Sequence, residues 1–274
     1  MKSILPAAAA LLAFLPAFHP QEKVKLVRRE SQGDKCKVSS TMSIVGKILT
    51  TVDGQESSKE IRHLEVSNYV SEILDIGPGL RTERRTYGEC TTSDLAPGAT
   101  EPTQTKTLLS GKAIDFKEVG GKTEIEGAED VPAADLEEAT QKGNFQDASM
   151  PVGPVEAGTT WEVDDLTKCL GLPKELAEGA STFKVKGTFE KIEEVGGARC
   201  AVISHRMTVK GRFKGIQTDF QGQSHQWLTL DAGRIIKMTA EGTFDFSGDQ
   251  ERGASKVKVG GRIVMKEETV RKYE

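Results

Sequence analysis

Long stretches of this chain alternate apolar and polar residues with a period of two, and no other feature constrains the fold as strongly. Between residues 36 and 48 the apolar side chains fall mostly on even positions, and lysine, serine and threonine stand between them. Successive side chains of a β-strand point to opposite faces, so this pattern predicts a strand with one wet face. Similar runs occupy residues 64–76, 183–189, 236–246 and 257–265.

Glycine-rich turn signals separate the alternating runs, including GPG at 77–79, VGGA at 195–198 and DAGR at 231–234. Strands joined by short turns of this kind pair antiparallel. Several runs exceed the usual strand length of about five to six residues, and long antiparallel strands twist and curl around their apolar face. The sequence therefore predicts a mainly β, β-rich α+β fold. Its core is a long antiparallel curved sheet, a half-barrel or open barrel, with one or two short helices at 133–143 and 164–176.

The stretch PVGPVEAGTTWEVD at 151–164 is interpreted as a joint between two halves of the chain. Its prolines disfavour a helix or a central strand, its glycine permits a turn, and Trp161 is its one large anchor. We expect residues 1–20 to be a signal peptide, residues 21–150 an N-terminal β-rich half and residues 151–274 a C-terminal antiparallel β half. The halves are expected to form one continuous structural unit, with Trp161 buried where they meet.

The N-terminus has the layout of a secretory signal peptide, with Lys2 ahead of an apolar run at 4–18. The run is shorter than the roughly 20 apolar residues that cross a bilayer. Export to the periplasm or the extracellular space is therefore expected, with no integral membrane segment in the processed chain. A retained N-terminal anchor is the alternative, because Leu15 stands where a cleavage site after Ala17 requires a small residue.

Four cysteines, Cys36, Cys90, Cys169 and Cys200, form no pattern typical of a metal site. In an exported chain an even number of cysteines favours two disulfides, and four cysteines allow three connectivities. If the chain has two halves, the pairs Cys36–Cys90 and Cys169–Cys200 keep each bridge local. Four buried free thiols are the alternative.

Charge and motif content exclude several classes of function. The chain carries 37 Lys and Arg residues against 41 Asp and Glu residues, which argues against a nucleic-acid partner. It contains no zincin, phosphate-loop, dinucleotide-binding or EF-hand motif, so no cofactor and no metal ion is predicted. His205 lies in register with apolar residues and is interpreted as a core histidine rather than a catalytic one. Arg81, Arg84 and Arg85 are interpreted as a wet sheet face, because Glu83 interrupts them.

A P-x-x-PV-x-x-G-x-x-W pattern is formed by Pro151, Pro154, Val155, Gly158 and Trp161. The chain resembles a family of uncharacterised bacterial secreted proteins that carry this pattern at their centre, and the likeness extends from about residue 105 to the C-terminus. The resemblance implies export and a β-rich fold, and it implies no catalytic residue, because that family has no established activity. More distantly, such proteins resemble the curved-sheet lipoprotein and lipid carriers of the bacterial envelope, in fold alone.

Two functional hypotheses stay open, and a third, an exported hydrolase, is the least favoured. In the first, a non-catalytic protein binds an apolar small molecule, a lipid or a lipidated partner on the curved sheet, since aromatic residues make up only 5% of the chain and cannot fill a closed interior. The residues predicted to form this surface are Val185, Ile203, His205, Met207, Met238, Phe244, Ile263 and Met265. In the second, the protein is a structural or interaction module of the cell envelope with a packed sheet core and no ligand.

Overall fold

The computed structural model describes residues 22–96, 99–119, 122–132, 136, 149–163, 180–213, 215–252 and 255–274. Long strands dominate these ranges, because alternation and glycine turns are repeated along the chain. In chain order they are β1 (Lys35–Val52), β2 (Gln55–Gly77), β3 (Leu80–Tyr87), β4 (Thr91–Asp94), β5 (Thr103–Lys106), β6 (Ala113–Val119), β7 (Lys122–Glu126), β8 (Thr160–Glu162), β9 (Ala180–Val195), β10 (Ala198–Phe213), β11 (Ile216–Thr229), β12 (Ile235–Arg252) and β13 (Ser255–Tyr273).

All these strands belong to one antiparallel sheet with the order β7-β6-β3-β2-β1-β13-β12-β11-β10-β9-β8, and β4 pairs with β2 and β5. The sheet is not closed into a barrel, and the predicted fold class is confirmed. The helices predicted at 133–143 and 164–176 lie outside the described residues, except for Leu136. Within the described ranges, no helix has the length and apolar character needed to span a membrane.

The N-terminal and C-terminal parts of the sheet are joined by β1 and β13, which pair from Cys36 opposite Tyr273 to Val52 opposite Val257. On its other edge β1 forms a hairpin with β2, and the turn lies at Asp53 and Gly54, whose φ angles are 50° and 84°. Positive φ at both central residues matches the right-handed twist of the flanking strands, and Asp-Gly is a favoured pair for such turns.

Strand register places alternate side chains of neighbouring strands on one side of the sheet, here called the inner face. Val38 of β1 lies opposite Tyr69 of β2 and Arg271 of β13, and Met238 of β12 lies opposite Thr269 of β13. The inner face therefore carries the even residues of β1, β11 and β12 and the odd residues of β2, β3, β10 and β13.

Two separate hydrophobic cores pack against this sheet, one towards each lateral edge. The first core, near β3 and β6, contains Tyr87, Cys90, Ile114, Phe116, Ala128, Val131 and Leu136. The second core, near β9 to β12, contains Leu26, Phe189, Ala201, Ile203, Leu228 and Ile235.

Residues 22–34, here called the covering segment, run across the ends of several strands. Leu26 enters the second core and is 1% exposed. Val24 forms a β-bridge with Val155, and the Arg29 N–H donates to the Gly233 carbonyl at 2.8 Å. Further along, the Gly33 N–H donates to the carbonyl of Ile73 in β2 at 2.8 Å. The segment therefore ties the β8 side of the sheet to the β2 side.

Trp161 of β8 is partly buried and packs against the second core. Its indole N–H donates to the Ser149 carbonyl at 2.8 Å. Trp161 lies opposite Gly187 of β9, and a Cβ at Gly187 would stand 2.3 Å from the indole Cε2. The ring therefore lies directly on the glycine backbone, which explains why residue 187 has no side chain.

The predicted disulfide between Cys36 and Cys90 does not form, because both are buried free thiols, as is Cys200. Cys36 lies in β1, on one side of β2. The Cys90 thiol contacts the Asn68 carbonyl from the other side of β2. Two strand spacings of about 4.8 Å separate the cysteines, more than the roughly 4.4–6.8 Å that a disulfide spans between Cα atoms. Burial raises the pKa of all three thiols. Cys169 lies outside the described residues.

The contact between Trp161 and Gly187 gives the first testable prediction. Trp161→Ala is expected to lower the free energy of unfolding by about 3 kcal/mol, the low end for aromatic truncation, because the ring is only partly buried. Gly187→Ala is expected to cost about 1–3 kcal/mol because the new methyl group displaces the ring. The double variant should cost no more than Trp161→Ala alone, since the clash disappears with the ring.

Urea unfolding of the wild type, the two single variants and the double variant measures this coupling. Gly77→Ala is the matched control, because a Cβ there meets nothing within 4 Å. Additive costs of the two substitutions would show that the ring does not rest on Gly187.

Candidate functional site

The eight residues predicted to bind an apolar ligand all lie on the inner face. Met207 of β10 is opposite Val185 of β9, and Phe244 of β12 is opposite Ile263 of β13. Val185, Ile203 and His205 are buried, and the other five are partly exposed: Met207, Met238, Phe244, Ile263 and Met265. The fold thus brings these residues onto one surface, and their binding role stays a prediction.

Between the two cores lies a surface that is apolar but not buried, here called the apolar strip. Its residues are partly exposed, and none belongs to either core: Ile44, Ile48, Phe220, Phe244, Phe246, Val259, Ile263 and Met265. Sequence reasoning placed Val259 on this face but missed Ile44, Ile48, Phe220 and Phe246, although alternation put Ile44, Ile48 and Phe246 each on one face of its strand.

Aromatic rings of the apolar strip rest on glycine backbones. A Cβ at either Gly222 or Gly242 would stand 2.9 Å from the Phe220 ring, and a Cβ at Gly261 would stand 2.8 Å from Phe246. The Phe244 and Phe246 rings are stacked, with centroids 5.6 Å apart. Glycines on the inner face therefore make room for rings that lie along the sheet, and the strip is a low, broad apolar surface.

A cavity of about 190 Å³ lies at the end of the sheet that the covering segment crosses. Polar and apolar side chains from β1, β2, β12 and β13 line it, including Val38, Tyr69, Met238, Thr269, Arg271 and Tyr273. Charged residues of β3 and of the covering segment complete the wall.

Four arginines line this cavity and are here called the arginine cluster: Arg28, Arg81, Arg85 and Arg271. Glu83 accepts hydrogen bonds from Arg81 Nη1 at 2.9 Å, from Arg85 Nε at 2.9 Å and from Ser71 Oγ at 2.6 Å. Glu30 accepts a bond from Arg81 Nε at 2.7 Å and contacts Arg28. Two carboxylates thus bridge three guanidinium groups.

The interpretation of Arg81, Arg84 and Arg85 as a wet sheet face is wrong for two of the three. Arg84 does point outward and forms an ion pair with Asp115 at 2.7 Å. Arg81 and Arg85 point inward, and Arg85 lies over the Phe116 ring, 4.5 Å from its centroid. The sequence did contain a signal for this orientation. Arg81 and Arg85 stand at odd positions of β3, as the buried Tyr87 does, and alternate residues of a strand share one face.

Glu83 is 4% exposed, yet its carboxylate is held in the charged form. Burial alone raises the pKa of this group, but the Arg85 and Arg81 guanidiniums and the Ser71 hydroxyl lower it further than burial raises it. The net pKa lies well below its ordinary value, so Glu83 is ionised at neutral pH.

Arg271 differs from the other three arginines of the cluster. Its side chain lines the cavity and makes no hydrogen bond or ion pair with any residue that the structure describes. Burial lowers the pKa of the guanidinium, while neighbouring groups, Tyr69 first among them, raise it above its ordinary value. Arg271 is therefore a charged side chain inside the cavity that no carboxylate of the described residues contacts.

His205 lies in the second half of the inner face, away from the arginine cluster. Its Nε2 is 3.3 Å from the Ser149 carbonyl, and burial lowers its pKa to about 4, so the imidazole is neutral at pH 7. Among the described residues, no group of three or more histidine, cysteine, aspartate or glutamate side chains could hold a metal ion.

Comparison with known proteins gives only distant likenesses. No protein-family model matches the chain, and no curated protein matches it in sequence. Among solved structures, it is similar to lipovitellin, in a study of lipid–protein interactions, with 10% identity and a TM-score of 0.45. The match covers 86% of this chain but only 25% of the lipovitellin chain.

Two further solved structures are similar over most of both chains. The Salmonella typhi OmpF complex with daunomycin is 11% identical with a TM-score of 0.26, over 85% of this chain and 98% of that chain. A DUF1329 family protein from Desulfovibrio piger is 10% identical with a TM-score of 0.15, over 84% of each chain. At these scores the likenesses assign neither a family nor a function.

Acid should weaken the fold through Glu83. Because the pKa of Glu83 is lower in the folded chain than the roughly 4.3 of an unfolded glutamate, its stabilisation is present above that pH and is lost as the pH falls below it. At pH 7, Glu83→Gln is expected to cost about 3–5 kcal/mol, since Arg81 and Arg85 lose their shared carboxylate.

Urea unfolding between pH 7 and pH 3 measures both effects, and the difference between wild type and Glu83→Gln should shrink as the pH falls. Glu60→Gln is the control, because Glu60 and Arg62 form an exposed pair whose N···O distance is 3.4 Å and such pairs contribute about 0–1 kcal/mol. A constant difference across this pH range would contradict the assignment.

Proposed function

We propose that the protein is a non-catalytic binding protein that holds an apolar ligand, such as the acyl chain of a lipid or of a lipidated partner, on the inner face of its sheet. The apolar strip carries this proposal. Its side chains are partly exposed between two cores, and large contiguous apolar surfaces are rare on monomeric proteins unless they bind something.

The geometry of the strip supports an elongated ligand. Neighbouring strands align Ile44 with Met265, and Ile263 with Phe244, so apolar side chains continue from strand to strand. The strands β12 and β13 contain 18 and 19 residues, so the inner face extends over many residues along each strand. A flexible hydrocarbon chain fits such a surface better than a compact polar molecule.

Export to the periplasm or the extracellular space belongs to the same proposal. The expected signal peptide at 1–20 lies outside the described residues. It is inferred from the sequence, in which Lys2 precedes an apolar run. An exported protein with an apolar binding surface would meet lipids and lipidated proteins in the cell envelope.

One observation favours the alternative, a structural or interaction module. On the opposite side of the sheet, Val45 and Leu49 of β1 are 50% and 51% exposed, and Leu64 of β2 is 41% exposed. These residues share the outer face, because Ser43 pairs with Leu64 in the β1–β2 register. A protein partner that covers this patch would explain their exposure without any ligand on the inner face.

A charge placed in the apolar strip should weaken ligand binding. Ile263→Glu is expected to reduce binding of the neutral dye Nile red by about tenfold or more, which corresponds to about 1.4 kcal/mol, because the carboxylate must lose water when the dye covers it. Fluorescence titration measures the dissociation constant, and thermal unfolding of each variant checks that the fold persists.

Val264→Glu is the matched control, because Val264 is the next residue in β13, is also partly exposed and points to the outer face. It should leave Nile red binding unchanged on the ligand hypothesis. Absence of binding to the wild type, or equal loss in both variants, would rule out the inner face as the binding surface and favour the interaction module.

A further inference from the structure

Four arginines and four carboxylates line the cavity, and only two of these carboxylates, Glu30 and Glu83, contact an arginine of the cluster. Both of them contact Arg28, Arg81 or Arg85. Among the described residues, Arg271 therefore has no carboxylate in contact. Buried charges in proteins are normally paired, because an isolated charge loses its hydration without compensation.

The other described acids near the cavity do not contact Arg271. Asp34 lines the cavity, but its carboxylate is in contact with Arg234. Glu65 accepts a hydrogen bond from Ser67 at 3.0 Å. Glu65 and Glu267 each lie four residues along their strands from the level of Arg271, which is about 13 Å at the rise of a β-strand.

We propose that the cavity binds a carboxylate or phosphate group, with Arg271 as the anchoring residue and the rest of the arginine cluster as a positive background. A guanidinium presents parallel N–H donors that match two oxygens of a carboxylate or phosphate. The cavity volume of about 190 Å³ exceeds the roughly 30 Å³ of one water several times, so a group of this size fits.

Two sources of this anionic group are consistent with the same chemistry. It is either a free small anion or the head group of an amphiphile whose apolar tail lies on the apolar strip. Met238 lines the cavity and lies on the inner face, six residues along β12 from Phe244 of that strip. The site itself does not depend on the proposed function, because a free anion needs no apolar surface.

The first arm of the test uses small anions alone. Calorimetric titration with inorganic phosphate and with acetate should show binding to the wild type and at least about tenfold weaker binding to Arg271→Gln. Arg262→Gln is the matched control, because Arg262 lies on the outer face of the same strand, 3.8 Å from Asp245. This control should bind as the wild type does.

Thermal unfolding separates a binding role from a structural one. The melting temperature of the wild type should rise with phosphate concentration, because a ligand that binds only the folded state stabilises it. Arg271→Gln should melt at or above the wild-type temperature without phosphate, since it removes an unpaired charge, and should not respond to phosphate. If Arg271→Gln fails to fold, Arg271→Lys keeps the charge without the planar fork and should respond only weakly.

The second arm distinguishes the two sources by comparing acetate, stearate and stearyl alcohol, because Met265 of the apolar strip lies six residues along β13 from Arg271, about 20 Å at the rise of a β-strand. A head-group site predicts that stearate binds more tightly than acetate and that Met265→Glu removes the difference, whereas a free-anion site predicts equal binding. Stearyl alcohol probes the apolar strip alone, so its failure to bind would count against the proposed function and leave the anion site standing. Anion binding that is absent, or unchanged in Arg271→Gln, would overturn the proposed site.

Discussion

The pairing of β1 with β13 is the contact on which the rest of the molecule depends. It joins strands from opposite ends of the chain, and without it β1 to β7 and β8 to β13 would be separate sheets. It also places Val38 beside Arg271, so the cavity exists only when this pair has formed. Contacts between distant parts of a chain carry a large loop-closure cost, so this step is expected to be slow in folding.

The covering segment reinforces that long-range pairing from one end. Its carboxylate Glu30 reaches Arg81 of β3, and the neighbouring Asp34 contacts Arg234 at the turn before β12. Leu26 meanwhile fills the second core. A single stretch of chain therefore links strands that the sheet order sets far apart, with charge pairs to β3 on one side and to the turn before β12 on the other.

Much of the strand pattern was predictable from the sequence, since a period of two directly reports which side chains share a face. The eight predicted residues on the inner face illustrate this, because Met207 and Ile263 were assigned by alternation alone. Partners of strands were not predictable, since nothing local in the β1 sequence specifies β13. The error over Cys36 and Cys90 has the same origin, because an intervening strand is invisible until the sheet order is known.

The arginine cluster was missed for a different physical reason. Charged residues normally mark a wet face, and Arg81, Glu83 and Arg85 were interpreted that way. In the fold their charges compensate one another, which allows a charged row to occupy the inner face beside the first core. The sequence shows that Arg81, Glu83 and Arg85 alternate in sign. Their burial as ion pairs depends on β2, β6 and the covering segment surrounding these three residues, which the sequence does not show.

The inner face is thus polar at the end that holds the cavity and apolar at the strip, and this order has a consequence for any ligand that uses both parts. The covering segment crosses the polar end, so a bound anionic group would lie under protein while an attached chain would extend over the apolar strip. At the proposed site, a bound anion would match the charge of Arg271 and so stabilise the folded chain. The two cores lie at the lateral edges, and between them β1 and β13 are joined by their backbone ladder, so the side chains in the middle of the inner face can stay available for a ligand without loss of the fold.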